Sequence, residues 1–247
     1  MRAMILAAGR GERMRPLTDT TPKPLLRVGG KPLIVWHIER LVKAGIADII
    51  INHAWLGHLI EAALQDGRRW GARISYSAEP QALETAGGIA HALGFFQDEA
   101  FLVINGDIWC DWNPVEAFQQ GALLARQKKL AWLLLVANPE HHASGDFLLS
   151  PHHEVMDGHA PEAPEPPEAN GASAPLTFSG IGVYHPALFQ GIGKSGAARL
   201  APLLRQAMQT HQVTGRYYTG AWIDIGTPAR LNALDHQLAS RGSNPAG

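Results

Sequence analysis

The chain is nearly free of cysteine: Cys110 is the single one in 247 residues. An intramolecular disulfide is thereby excluded, and the composition is compatible with a reducing compartment. A lone thiol in apolar sequence reads as a buried small hydrophobe rather than a nucleophile. Charged residues are scarce too, at 17% against about a quarter in ordinary domains. With 46% hydrophobic residues, that implies a mild surface over a large core. The formal net charge is −1, so a broadly basic nucleic-acid-binding domain is not expected. No apolar run is long enough to span a membrane and no signal-peptide pattern opens the chain, so a cytoplasmic protein without a membrane partner is expected. No internal repeat is visible. Two phosphate-binding motifs are also missing. No G-x-x-x-x-G-K-[ST] run occurs, and Gly9-Arg10-Gly11-Glu12-Arg13-Met14 lacks the third glycine of a dinucleotide fingerprint.

What is present is concentrated at the start. Met4-Ile5-Leu6-Ala7 reads as a buried strand that runs into small residues, two glycines and several arginines. Glycine tolerates the backbone angles of an anion cradle, and small residues let a phosphate approach the free N–H groups. Lys23 follows between Pro22 and Pro24, which restrict the backbone on both sides and fix the lysine on a stiff loop. Residues 1–31 carry seven basic side chains against Glu12 and Asp19. That local excess favours a small anionic ligand.

Further along, Lys31-Pro32 is expected to open a helix through Val42 that closes at Gly45. Asp48 to Asn52 is a strand, Leu56 to Leu64 a helix and Arg73 to Ser77 a strand. The order β-α-β-α-β predicts an α/β fold, with a mostly parallel central sheet and helices on both faces. Ligands of such sheets lie beyond the carboxyl ends of the strands, where the glycine loop sits. Leu83 to Ile89 carries Glu84, Gly87 and Gly88; Thr85 is a candidate helix cap, and the glycine pair would let backbone groups meet a flat ligand. Phe101 to Ile104 is a very apolar strand that ends in Asn105-Gly106-Asp107. A strand-end aspartate projects into the crevice, and its oxygens suit magnesium, so Asp107 is a metal-ligand candidate. His141-His142 and His152-His153 read as solvated loop histidines rather than a zinc site. Residues 157–175 are rich in proline, alanine and glutamate, and read as a mobile surface insertion. The chain is therefore expected to form one domain over 1–241, with that insertion and a disordered tail at 242–247.

The run Leu6-Ala7-Ala8-Gly9-Arg10-Gly11-Glu12-Arg13-Met14-Arg15-Pro16-Leu17-Thr18, followed by Pro22-Lys23-Pro24-Leu25, resembles the signature of the sugar-1-phosphate nucleotidyltransferases. The resemblance covers nearly the whole chain and is weakest over 138–175. It implies a Rossmann-like nucleotidyltransferase fold and the joining of a nucleoside triphosphate to a sugar 1-phosphate, with release of pyrophosphate. It also implies Mg²⁺ as the cofactor, held by Asp107 and by Asp224 in the segment Trp222-Ile223-Asp224-Ile225-Gly226-Thr227. Arg13, Lys23 and Asp107 are the implied catalytic residues. Ala8, Gly9, Gly11, Glu12, Arg13 and Lys23 would hold the phosphates of the nucleotide. Gln81, Glu84, Gly87 and Gly88 would face the nucleoside; Glu79 lies just upstream, and the Gln81 amide, which both donates and accepts, matches a uracil edge. Asn105, Asp146 and Gly180 would face the sugar. No left-handed β-helix of the sort some relatives carry is appended.

Within the family, Asn52 to Gly57, Gly145-Asp146-Phe147 and Phe178 to Pro186 look most like the short N-acetylmuramate 1-phosphate uridylyltransferases of cell-wall recycling. The expected partners are therefore small-molecule substrates, UTP foremost, for a monomer or small homo-oligomer. Many relatives grip the sugar phosphate with a second lysine, whereas residues 138–156 contain no lysine or arginine. Rival readings are transfer from dTTP or UTP to glucose 1-phosphate, from GTP to mannose 1-phosphate, and choline-phosphate cytidylyl transfer. A non-catalytic nucleotide-sugar-binding module is the alternative from another class, which would have no need to keep both aspartates and Lys23.

Overall fold

The computed structural model describes residues 1–158, 174–193 and 196–242. The strands are β1 (Ala3–Leu6), β2 (Arg27–Val28), β3 (Lys31–Pro32), β4 (Asp48–His53), β5 (Arg73–Ala78), β6 (Phe101–Asn105), β7 (Ile108–Cys110), β8 (Ala131–Val136), β9 (Phe147–Leu149), β10 (Val155–Asp157), β11 (Thr177–Tyr184), β12 (Val213–Tyr218) and β13 (Trp222–Asp224). The helices are α1 (Leu33–Lys43), α2 (Gly57–Leu64), α3 (Glu84–His91), α4 (Glu116–Gln127), α5 (Leu200–Gln209) and α6 (Pro228–Gly242). Seven strands form the central sheet in the order β12-β8-β11-β6-β1-β4-β5. The sheet is mixed and mostly parallel, as the alternation of strands and helices predicts.

The chain divides into two compact units, and β6 contributes to both. One comprises residues 2–83, 104–114 and those from 221 onward. In it β1 runs parallel to β4, and β4 parallel to β5. The apolar runs Ala3 to Ile5 and Ile49 to Ile51 are buried, which is why they form central strands. A separate core joins Met14 of the glycine loop, Leu26, Val28 and Leu33 to Trp109 of β7, Ile225, and Leu231 and Leu234 of α6. Pro32 caps α1 rather than entering it, because its extended ψ of 142° keeps it out of the helix.

The other unit comprises Met1 and residues 84–103 and 115–220. There β12 runs parallel to β8, and β11 antiparallel to β8 with a register shift between Phe178 and Gly182. Aromatic rings fill its core: Phe96 stacks on Phe101 at 3.8 Å between centroids, and Tyr184 meets Phe189 edge-on at 5.7 Å. A hairpin of β9 and β10 completes it. The insertion expected at 157–175 and the tail expected at 242–247 lie, but for their ends, outside the described residues. Among the described residues no helix is long and apolar enough to cross a membrane.

Candidate active site

The glycine loop leaves β1 and turns at Gly11, whose φ of 68° is left-handed. A Cβ there would lie 3.1 Å from Thr18 Cγ2 and 3.3 Å from Lys23 Cβ, so glycine is needed for both angle and space. The Gly11 carbonyl accepts from Met14 N at 2.9 Å and from Thr18 Oγ1 at 2.8 Å, which folds the loop back on itself. Ala8 is half-buried; Gly9, Glu12 and Arg13 are exposed. Two of the loop's arginines are engaged within it. Arg10 lies over the Trp55 ring at 3.8 Å and donates to Thr18 O and Asp19 Oδ1; Arg15 Nε donates to the same Asp19 oxygen at 2.8 Å. Arg15 first, then Arg10, hold the Asp19 carboxyl below the usual carboxylate range.

Lys23 is buried in the turn between its two prolines, and its Nζ donates to Asp107 Oδ2 at 2.7 Å. Asp107 follows Gly106, whose N–H donates to Leu6 O at 2.8 Å. A Cβ on Gly106 would fall 2.6 Å from that same oxygen, so only glycine lets β6 and β1 converge here. Beyond Asp107, β7 pairs antiparallel with β13, with Asp224 opposite Ile108. Ile225 N donates to Asp107 O at 2.9 Å. Thus Asp224 lies in the ladder, and Asp107, far away in sequence, lies one residue before β7, tied to Ile225 through the backbone. Arg230, in the first turn of α6, donates from Nη1 to Asp224 Oδ2 at 2.6 Å. Each aspartate therefore carries a cationic partner. Buried His37 on α1 donates from Nε2 to Ile108 O at 2.9 Å, and so fixes β7 from behind.

The other expected site residues are distributed as follows. Glu79 is not an open base-binding group. It is buried, accepts from Asn52 Nδ2 at 2.7 Å and from Leu83 N at 2.8 Å, and Asn52 Oδ1 in turn accepts from Ala7 N. Gln81 is exposed beside it in sequence, and Asn105 is half-buried at the end of β6. In the second unit Glu84 is exposed with φ 60°, and Thr85 lies inside α3 rather than before it. Gly87 and Gly88 are buried, and the N–H groups of Ala86 and Gly87 donate to Ala198 O at 2.9 and 3.1 Å. The Gly87 N–H is thus engaged by the chain itself, because the segment before α5 crosses the start of α3. Asp146 is likewise engaged: Oδ2 accepts from Phe178 N at 2.8 Å, and Oδ1 lies 3.0 Å from His142 Nε2. Gly180, with φ 82°, sits where the β11 register shifts.

Among the described residues no group of three or more His, Cys, Asp or Glu side chains is placed to hold a metal, and the loop residues His141, His152 and His153 are exposed. Cys110 is buried in β7, which pushes its thiol up to about 12 and removes it as a nucleophile. His37, Arg230 and the Asn52–Glu79 pair escape a reading of the sequence. A histidine or arginine on an amphipathic helix has no local mark of its partner, although a polar Asn52 ending an apolar strand is a usable signal.

The nucleotidyl transferase family model matches residues 2–241. N-acetylmuramate alpha-1-phosphate uridylyltransferase of Neisseria meningitidis serogroup B is 53% identical over 232 residues, covering 94% of this chain and 95% of that protein. The Caulobacter vibrioides protein of the same name is 33% identical over 244 residues, covering 96% of each. A crystal structure of a putative glucose-1-phosphate thymidylyltransferase from Bacillus anthracis, in complex with a sucrose, superposes with a TM-score of 0.78. It covers 100% of this chain and 97% of that one, at 21% identity, a likeness of fold alone. The matched span takes in the glycine loop, Lys23, the β7–β13 ladder with both aspartates and most of α6, and on that match the chain belongs to the nucleotidyl transferase family.

Proposed function

We propose that this chain joins UTP and N-acetylmuramic acid 1-phosphate to give the UDP-sugar and pyrophosphate, a step of cell-wall recycling. The observation that carries the substrate pair is the 53% identity, over almost the full length of both chains, to a uridylyltransferase of that sugar phosphate. In the reaction a phosphate oxygen of the sugar 1-phosphate attacks the α-phosphorus of UTP in line, and the bond from that phosphorus to the β-phosphate bridging oxygen breaks. The nucleophile is already an anion, so no protein base is required. Catalysis then rests on positioning and on neutralising charge.

The residues fit that work. Gly9, Gly11, Ala8 and Glu12 border a backbone cradle, with Arg13 beside it, for the β- and γ-phosphates. Lys23, held on its stiff turn, would neutralise the α-phosphate. Gln81, Glu84, Gly87 and Gly88 would border the nucleoside, through side chains or the helix surface in place of the engaged Gly87 N–H. Asn105, Asp146 and Gly180 would border the sugar, Asp146 from a carboxylate already anchored on Phe178 N. Asp107, one residue before β7, and Asp224, in β13, supply an oxygen-only donor set, with side chains 42% and 23% exposed. Two carboxylates with the remaining places left to phosphate oxygens and water suit Mg²⁺. When bound, Mg²⁺ would draw charge from the reacting phosphates. We further assign residues 1–241 to one catalytic domain, monomeric or in a small homo-oligomer, working in the cytoplasm.

The test is turnover with the four nucleoside triphosphates crossed against N-acetylmuramic acid, N-acetylglucosamine, glucose and mannose 1-phosphates. UTP with N-acetylmuramic acid 1-phosphate should give the highest kcat/KM. A tenfold or larger preference for glucose 1-phosphate would remove the sugar assignment and leave nucleotidyl transfer standing.

A further inference from the structure

Three cationic side chains converge around the two aspartates, and one of them has no role in the reading above. Arg230 donates from Nη1 to Asp224 at 2.6 Å, and its Nε lies 3.4 Å from Thr227 Oγ1. The other end of its guanidinium reaches Gly226. A Cβ built on Gly226 would collide with Arg230 Nη2 and lie 3.3 Å from Arg13 Nη2. Guanidinium groups from the glycine loop and from α6 thus flank a single glycine, beside a carboxylate.

We propose that Arg13 and Arg230 form a clamp for a phosphate group at Gly226, and that Arg230 exchanges Asp224 for that phosphate when the site fills. The proposal rests on the nucleotidyl-transfer reading of the same site. Two guanidinium groups so close repel one another unless an anion lies between or beside them. Asp224 supplies that anion through its ion pair with Arg230. Asp224 cannot serve a divalent cation and Arg230 equally well, since both compete for one carboxylate. Were Asp224 to hold a divalent cation, Arg230 would be released, and the planar fork of its guanidinium matches phosphate oxygens. Lys23 and Asp107 repeat the pattern at 2.7 Å. A divalent cation on the two carboxylates together with a phosphate group would offer Lys23 and Arg230 a new anion in place of Asp107 and Asp224. The same phosphate chemistry is offered by the polyphosphate tail and by the sugar 1-phosphate.

Arg230→Gln and Arg230→Lys test the clamp. Calorimetry would follow inorganic pyrophosphate and N-acetylmuramic acid 1-phosphate separately, each with Mg²⁺. Electron paramagnetic resonance would follow Mn²⁺ binding without nucleotide, and thermal melting would check the fold. The Gln variant should bind Mn²⁺ at least threefold tighter, because Asp224 is no longer shared. It should bind one of the two phosphate ligands at least tenfold weaker, and the Lys variant should fall between. Loss on the pyrophosphate arm assigns the clamp to the polyphosphate tail; loss on the other arm assigns it to the sugar phosphate. Unchanged binding of both, or weakened Mn²⁺ binding, overturns the proposal and leaves Arg230 as a brace for Asp224. Should the Gln variant not fold, the Lys variant decides by direction: weaker binding of one phosphate ligand supports the clamp, and unchanged binding of both overturns it. If wild type binds both ligands yet makes no nucleotide sugar, the functional reading fails while the clamp is still tested.

Discussion

His37 Nε2 donates to the carbonyl of Ile108 at 2.9 Å, so a buried helix residue holds the strand that begins one residue after Asp107. Burial first, then the nearby Arg40 charge, pushes the His37 imidazole down from 6.5 to about 4. The folded chain therefore holds His37 neutral where the unfolded chain would protonate it. Stability from this group is fully present above pH 6.5 and is lost as pH falls toward 4, by about 3 kcal/mol for a shift of this size. Urea midpoints at pH 7.5, 6.0 and 5.0 should decline for wild type, and less for His37→Gln, which keeps a donor and does not titrate. Parallel declines would mean that another group carries the effect.

Asp107→Asn and Asp224→Asn should each lower kcat by orders of magnitude with little change in melting. An amide is a neutral and poorer ligand for Mg²⁺. Both aspartates are partly exposed, and asparagine keeps an oxygen that can accept from Lys23 or Arg230, so neither cation need lose its hydrogen bond. Rates near wild type in both variants at limiting Mg²⁺ would falsify their assignment as metal ligands.

Lys23→Ala should act mainly on kcat, by about 2–4 kcal/mol, as the loss of a charge-stabilising donor does. Steady-state kinetics separate the possibilities. A raised KM for UTP with an unchanged kcat would make Lys23 a binding group only. The side chain is also buried, so melting of the variant should be recorded beside its kinetics.

Asp146→Ala removes the acceptor of the Phe178 N–H. Phe178 is half-buried, so leaving its N–H without that partner costs about 1 kcal/mol, the low end for a lost acceptor, and the melting temperature should fall modestly. The KM for the sugar phosphate should rise as well, if Asp146 also faces the sugar. A drop in melting with an unchanged KM would make its role purely structural.

Much of the site was legible because it is local. The glycine loop, the proline-bracketed Lys23 and the strand ending in Asp107 each carry their mark within a few residues. Helix and strand limits follow from the apolar runs, with α1 displaced by the extended Pro32. What stayed hidden depends on partners far away in the chain. Gly87 looks like an open backbone position until Ala198, more than a hundred residues on, takes its N–H. Glu79 looks like a ligand for a base until Asn52 and Leu83 claim both of its oxygens. Arg230 looks like a solvated first-turn arginine until β13 brings Asp224 beneath it.

The β7–β13 ladder has a bearing on how the chain is made. Residues Trp222–Asp224 leave the ribosome long after Ile108–Cys110, so this closure is a late, long-range event. A chain stopped before Ala221 has the glycine loop, Lys23 and Asp107 but no Asp224, and β7 is left with a bare edge. Such a fragment lacks the second carboxylate and the strand that aligns the first. On the proposed function, a nascent or truncated chain would lack one of the two carboxylates assigned to the metal until the β13 strand docks on β7.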